Sequence, residues 1–464
     1  MLTSPPSHLR ELRDLGLFLL LFGALALETF LLPETADVRP WVEGERMPLM
    51  GLLEAQSNPQ ELPSSQDSIP ADRSPALAQS LEKSESLESF WESLYALESS
   101  AGERSVRVLH FGDSTIAADG IPGVLRRRFQ RRFGNRGPGF LALQVDTRWV
   151  YRPGVKRDTE GDWEVWNLTQ GGAPYARYGL GGSPTRLAGA GGMVLHLDES
   201  VAEGVSSGSL HVQMQPSGGT FSFGPVDGPR KQVNTASEVV RDLHVSLPSE
   251  GVLDAVEIES MGDGPLSFYG ISLETDSVGL TWETLGVAGS SIGSMRRQNE
   301  EHLKSEIASR APQLIVYQTG GNALGYDSFL LGDGRLYKEK YLEMLSRLTG
   351  AVPSAACLVV GPLDQGRRVR GSVQSHPDIA RMVRLQREVA EEANCAFWDA
   401  RAVMGGEGGF GRWMHHEPTL TWTDLMHLSS EGSSLMGETM ADALFEGYDS
   451  YVREVKSSKG EASL

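Results

Sequence analysis

Apolar and polar positions along this chain alternate with different periods in different stretches, and the changes of period divide it. The first stretch is a continuous apolar run, Leu15-Gly-Leu-Phe-Leu-Leu-Leu-Phe-Gly-Ala-Leu-Ala-Leu27, extended past Glu28 by Thr-Phe-Leu-Leu32. Its length lies near the lower bound for a spanning helix, roughly 18 residues. Arg10 and Arg13 precede it and Glu28, Glu34 and Asp37 follow, a bias that sets the N-terminus inside and the body outside. The small-residue pair of Ala24-Leu-Ala26 falls inside the run rather than after it, which favours an uncleaved anchor over a cleaved signal. Residues 1–40 therefore read as a membrane anchor or signal segment. Residues 41–75, rich in Pro, Ser and Gln with no apolar period, read as a disordered linker.

From 74 to 99, Leu77, Leu81, Leu87, Phe90, Trp91, Leu94 and Leu97 recur at mostly three- and four-residue steps, the period of an amphipathic helix. A strand, Val108-Leu-His-Phe111, then runs into Gly112-Asp-Ser114, and a helical stretch follows from Gly120 to Phe129. The pattern changes again at Gly137-Pro-Gly139. Between 140 and 281 the chain has short alternating runs and Gly-rich turns, such as Gly192–Leu197, Gly208–Gln215, Leu243–Leu247 and Ala255–Glu259. That spacing predicts a β-sandwich or jelly roll. Strand patterns separated by helical ones then return: strands at 282–288, 314–318, 357–360 and 395–398, helices at 294–309, 336–348 and 379–393, and a last helix at 432–455. Such alternation predicts an α/β fold, a parallel sheet layered between helices, interrupted by an inserted all-β domain. The expected organisation is 76–139 and 282–456 as the two parts of the α/β domain, 140–281 as the insert, and 457–464 as a tail.

Composition changes this picture little but closes some doors. The 464 residues carry 42 basic and 61 acidic side chains, a net charge of −19, which argues against a nucleic-acid partner. Two cysteines exclude a disulfide-dense scaffold and a four-Cys zinc site. Cys357 and Cys395 each open an apolar run, so neighbouring strands would place both thiols at the same end of the sheet; a bridge and two separate buried thiols both remain open.

The chemistry gathers at the predicted strand ends. Ser114 follows the first strand, Gly286-Val-Ala-Gly289-Ser290 the second, Thr319-Gly-Gly-Asn322-Ala323 the third, and Thr423-Asp-Leu-Met-His-Leu428 lies near the C-terminus. Ester hydrolysis needs a hydroxyl activated by a base, a group that orients the base, and donors aimed at the developing oxyanion. Ser114 fits the nucleophile, His427 the base and Asp424, three residues earlier, its orienting acid. The N–H groups of Ser114 and Gly289 and the amide of Asn322 fit the oxyanion donors, with Asp113 and Gly320 in support. No metal or other cofactor is expected. His415 and His416 are alternative bases or ligands, but no Cys or carboxylate spacing completes a metal site around them. The basic run Arg126-Arg-Arg128 and Arg131-Arg132 reads as the solvated face of its helix. In the insert, Trp149, Tyr151, Trp163, Trp166, Tyr175 and Tyr178 read either as core or as sugar-stacking platforms.

The ordered set Gly112-Asp-Ser114, Gly289, Gly320-Gly-Asn322 and Asp424-Leu-Met-His427 resembles the four signature blocks of the SGNH (GDSL-type) hydrolases. No Gly-x-Ser-x-Gly elbow surrounds Ser114. His110-Phe-Gly-Asp-Ser114, the β insert, Phe268-Tyr-Gly-Ile-Ser272 and Met404-Gly-Gly406 also resemble the bacterial envelope branch of peptidoglycan O-acetylesterases and O-acetyltransferases, whose insert is carbohydrate-binding-module-like. The resemblance implies a three-layer α/β/α, flavodoxin-like sheet. It also implies an exported serine esterase, tethered through its N-terminal segment, acting on an acetylated envelope glycan such as peptidoglycan. An O-acetyltransferase with the same triad and a non-catalytic glycan-binding protein are the alternatives. Thr115 and Ala323 depart from that branch, which often has His and an acidic residue at these places.

Overall fold

The computed structural model describes residues 80–99, 105–143, 150–248, 251–324 and 332–458. The expected anchor (1–40), the linker (41–75), Trp149 and residues 459–464 lie outside them. Among the described residues no helix is long and apolar enough to cross a membrane.

Five strands form a parallel sheet: β1 (Val106–Gly112), β2 (Leu280–Gly286), β3 (Leu314–Gln318), β4 (Ala356–Val360) and β5 (Ala396–Trp398), in the order β2-β1-β3-β4-β5. The run of strand formers in each is apolar on both sides because both faces are covered. Side chains alternate between the faces with the pleat. Leu109, Phe111, Ile315, Tyr317, Val359 and Phe397 enter one apolar cluster with α2 (Glu300–Arg310), α3 (Arg335–Thr349) and α4 (Ile379–Glu392). Val108, Trp282, Val316, Leu358 and Trp398 enter the other with α1 (Gly120–Phe133), α5 (Ser430–Ser458) and the helix Glu88–Glu98. The fold is thus α/β/α with a parallel sheet, as expected.

Three particulars differ from, or decide between, the sequence expectations. Of the helix expected over 74–99, residues 74–79 lie outside the described residues, 80–83 are not helical, and a 3₁₀ turn at Ser84–Leu87 leads into the helix Glu88–Glu98. Glu82 instead exchanges backbone hydrogen bonds with Phe397 at 2.9 and 3.0 Å, which partners the edge strand β5. The basic run on α1 is a solvated face only at Arg127 and Arg131. Arg126 is buried against Asp119, Arg128 pairs with Glu438 and Asp442, and Arg132 pairs with Glu98 and Asp449, so the run faces the acidic side of α5. Cys357 and Cys395 are joined in a disulfide. The β4–β5 register pairs Leu358 with Ala396, which puts the preceding cysteines opposite each other on one face.

Between α1 and β2 the chain builds two antiparallel sheets, of six and five strands. Leu210, Val212, Phe268 and Ile271 of the first sheet face Met193, Leu195, Phe221, Val256 and Ile258 of the second. This is the packed interior of a β sandwich. The strand Leu266–Thr275 is buried along its whole length, because its other face lies against the α/β layers. There Tyr269 stacks near His302 of α2, with ring centroids 4.5 Å apart. The aromatics of the insert divide accordingly. Tyr178 and Trp166 belong to the cluster under the parallel sheet, Trp163 packs at the sandwich core, and Tyr151 and Tyr175 are exposed.

Candidate active site

In a sheet ordered 2-1-3-4-5 the chain leaves β1 in one direction for β2 and in the other for β3, and a crevice opens at the C-terminal ends of β1 and β3. Gly112, the last residue of β1, lies in register with Gly286 of β2 and Gln318 of β3. A Cβ at Gly112 would stand 2.6 Å from the Gln318 carbonyl oxygen, so only glycine lets the turn form here. The carboxylate of Asp113 accepts the Thr115 N–H at 3.0 Å and caps the one-turn helix Ser114–Ala117. Burial raises the Asp113 carboxyl above its ordinary value, against hydrogen bonds from Thr115 and the Gly320 N–H.

Ser114 Oγ lies 2.7 Å from His427 Nε2, and His427 Nδ1 lies 2.8 Å from Asp424 Oδ2. The carboxylate acceptor keeps the ring proton on Nδ1, so Nε2 is the acceptor for the serine hydroxyl. The loop holding this pair is closed by the Trp422 N–H on the His427 carbonyl (2.8 Å) and by a bridge between Thr421 and Leu428. Within it Leu425 adopts φ 67°, a left-handed conformation that bends Asp424 back toward His427. The other Asp424 oxygen accepts the N–H groups of Met426 and His427, each at 3.0 Å. Burial pushes the Asp424 carboxyl up, but hydrogen bonds from the His427 ring and these two N–H groups outweigh it and hold it below its ordinary value. Asp424 therefore stays charged across the neutral range and can stabilise an imidazolium on His427.

The remaining predicted residues come to the same edge. The N–H of Val287, just after β2, donates to the Gly112 carbonyl at 2.9 Å, and Gly289 then takes φ 78°. Asn322, buried in the 3₁₀ turn Gly321–Leu324, donates through Nδ2 to the Ser290 carbonyl at 2.9 Å. That bond joins the block after β2 to the block after β3 and leaves a second amide hydrogen for a ligand. Gly320 is needed for space, since a Cβ would stand 2.8 Å from Met382 Sδ and 3.0 Å from Gln386. His110, part of the motif ending in Ser114 but not a site candidate, and the alternative candidates His415 and His416 lie elsewhere. His110 turns to the opposite face, where it accepts from Trp282 Nε1 at 3.2 Å and burial lowers its pKa to about 3. His415 and His416 are exposed.

Several features at this edge carry no signal in the linear pattern. A cavity of about 10 Å³ opens beside Asp113 and Thr115, lined also by Gln318, Gly320, Gln365 and Met426. A hairpin, Gly366–Val369 and Ser372–Ser375, rises from Gln365 and is fastened to the His427 loop by the Gly366 N–H on the Leu425 carbonyl (2.8 Å). Its root is held by Asp364, which is fully buried and accepts from Ser375, Arg401 and the Phe410 N–H. The clue in the sequence was Gln318, a polar residue ending a buried apolar strand. Ala323, one of the departures, is buried in the apolar cluster, where an acidic side chain would lose its solvation.

No protein-family model matches the sequence, and no curated protein does. Solved structures do match. The structure of a peptidoglycan O-acetylesterase is 21% identical, with a TM-score of 0.65, over 78% of this chain and 96% of that one. An acetyl xylan esterase is 20% identical over 36% of this chain and 82% of that one, TM-score 0.28. A family two carbohydrate esterase from Cellvibrio japonicus is 10% identical over 64% and 99%, TM-score 0.25. The first of these shares the fold of this chain, parallel sheet and β sandwich together.

Proposed function

We propose that this chain is a serine esterase of SGNH type that removes acetyl groups from an envelope carbohydrate, with peptidoglycan as the polymer. The observation that carries the reading is the Ser114–His427–Asp424 relay, at 2.7 and 2.8 Å, set at the switch point of the sheet. The fold shared with a peptidoglycan O-acetylesterase structure supports the choice of substrate.

The reaction follows from this geometry. Ser114 Oγ attacks the acetyl carbonyl carbon as its proton passes to His427 Nε2, and the carbonyl oxygen becomes an oxyanion. The N–H groups of Ser114 and Gly289 and the free amide hydrogen of Asn322 receive that charge. The intermediate collapses as His427 returns the proton to the departing sugar oxygen, leaving acetyl-Ser114. Water, deprotonated by His427, then attacks the acyl carbon, and acetate leaves as the serine is restored. The side chains of Asp424 (37% exposed) and His427 (16%) leave the relay open to solvent on one side, which favours water over a sugar hydroxyl as acceptor.

Two features support a charged polymer as the substrate. Trp422, 42% exposed, stands two residues before Asp424, an amphipathic ring suited to stacking on a sugar. Arg367, Arg368 and Arg370 are exposed on the hairpin fastened to the His427 loop. On a chain of net charge −19 they put positive charge where the carboxylates of a peptidoglycan stem would lie. The disulfide favours an oxidising compartment, and the apolar run 15–32 would tether the enzyme there.

The test is acetate release from O-acetylated peptidoglycan by wild type and by Ser114→Ala. The expected loss in the variant is roughly 10⁴-fold or more, with an unchanged melting curve. Release by neither protein, or equal release by both, would sink the proposal.

A further inference from the structure

We propose that His211, His244 and Glu306 form a binding site for a transition-metal dication, with zinc the preferred ion, at the seam between the β sandwich and the parallel-sheet domain. His211 and His244 stand directly opposite each other on the paired strands Val205–Met214 and Arg241–Ser246. Cross-strand partners share a face, and their ring centroids are 4.4 Å apart. Glu306, fully buried on α2, meets them from the other side of the seam. One of its oxygens lies 2.8 Å from His211 Nδ1 and the other 2.8 Å from His244 Nε2.

Two imidazoles and a carboxylate, held on two strands and a helix, are a donor set that suits zinc and its neighbours in the first row. The three ligand atoms lie within 4.8 Å of one another. Tetrahedral zinc at about 2.1 Å from each ligand needs them roughly 3.4 Å apart, inside the span over which these atoms lie. The His244 side chain is 30% exposed, which provides an entry path and room for a water as fourth ligand. Both Glu306 carboxylate oxygens contact imidazoles, so a dication between them would meet a carboxylate already flanked by two nitrogen ligands.

A second triad, Asp242, His302 and Glu306, has similar spacing but the wrong chemistry. His302 Nε2 accepts the Gly179 N–H at 2.9 Å, so its proton sits on Nδ1, which faces Asp242 at 2.9 Å. A metal at His211 and His244 need displace only the ring protons that now face Glu306, whereas one at His302 must also break the Arg177–Asp242 ion pair. The sequence placed its metal candidates at His415 and His416 and expected no metal. The pair separated by 33 residues on facing strands has no linear spacing to reveal it. A metal here would join the insert to α2 and act through stability.

The test uses the full chain, stripped with a chelator and titrated with zinc chloride by calorimetry. One zinc per chain, with a raised unfolding temperature, is expected. His244→Ala and Glu306→Gln should each weaken uptake by at least about 100-fold, more than the loss of an outer-shell partner. The double variant His415→Ala/His416→Ala should bind as wild type does. Absence of uptake by the stripped wild type would overturn the proposal. So would uptake that persists in either His244→Ala or Glu306→Gln.

Discussion

The C-terminal edge of the parallel sheet and the seam beneath the β sandwich both hold charged hydrogen-bond chains, and they treat them in opposite ways. At the edge, charge runs in single file from Asp424 through His427 to Ser114, and the file is left open at its far end. Around Glu274 and Glu283 at the seam it is closed by arginines. Arg310 (7% exposed) joins Glu274 at 2.6 Å and also Glu283, while Arg107 and Arg136 reach Glu274 at 2.8 and 3.2 Å. Nearby, Asp119 takes Arg126 and Arg152. An unfinished hydrogen-bond chain can accept a substrate; a finished one only holds elements in place. The difference separates the chemistry of this molecule from its architecture, although both draw on the same residue types.

The largest effect of breaking this comparison falls on the seam. Arg310→Met leaves Glu274 and Glu283 buried without their shared cation, and should cost about 3–5 kcal/mol in denaturant unfolding. The acid side of the stability curve should change with it. The Glu274 carboxyl is lowered from 4.5 to about 2 by Arg107 and Arg310, against its burial. A depressed acid contributes stability above its unfolded pKa and loses it as pH falls through the folded one. Wild type should therefore weaken between about pH 4.5 and 2, and Arg310→Met should show a shallower loss over that window. A variant as stable as wild type at neutral pH would mean that the seam charges are not coupled.

A smaller effect is expected at the edge. Asn322→Ala should lower kcat by roughly 10²-fold or more with little change in KM, and cost about 1–3 kcal/mol in unfolding because the buried Ser290 carbonyl loses its donor. A loss confined to KM would make Asn322 a substrate contact, and an unaffected rate would remove it from the oxyanion site.

The same comparison explains what could be read from the sequence. The edge is built from local pieces: a strand ending in Gly-Asp-Ser, a Gly-Gly-Asn turn, and an Asp three residues before a His. Each turn is legible by itself, but Ser114 and His427 lie 313 residues apart, and their meeting was expected only because the ordered blocks resemble those of the SGNH hydrolases. The alternation of strand and helix, itself a local pattern, gave the parallel sheet. The seam is assembled from distant pieces, such as Arg107 and Glu274, which lie 167 residues apart, or His211 and Glu306, 95 apart. No period or spacing records such pairs. The arginines of α1 illustrate the cost, since only the fold brings the acids of α5 against them. The hairpin at Gly366–Ser375 was missed because its strands are short and polar, without an apolar period.

The central claim is that Ser114, at the open end of the charge relay, carries the acyl group. Its most direct test is to quench the enzyme during turnover of O-acetylated peptidoglycan fragments, digest it, and weigh the peptides by mass spectrometry. The account predicts one acetyl group on the peptide containing Ser114, lost with the Ser114→Ala substitution. Acetate release with no acetyl on that peptide, together with undiminished release by Ser114→Ala, would contradict it.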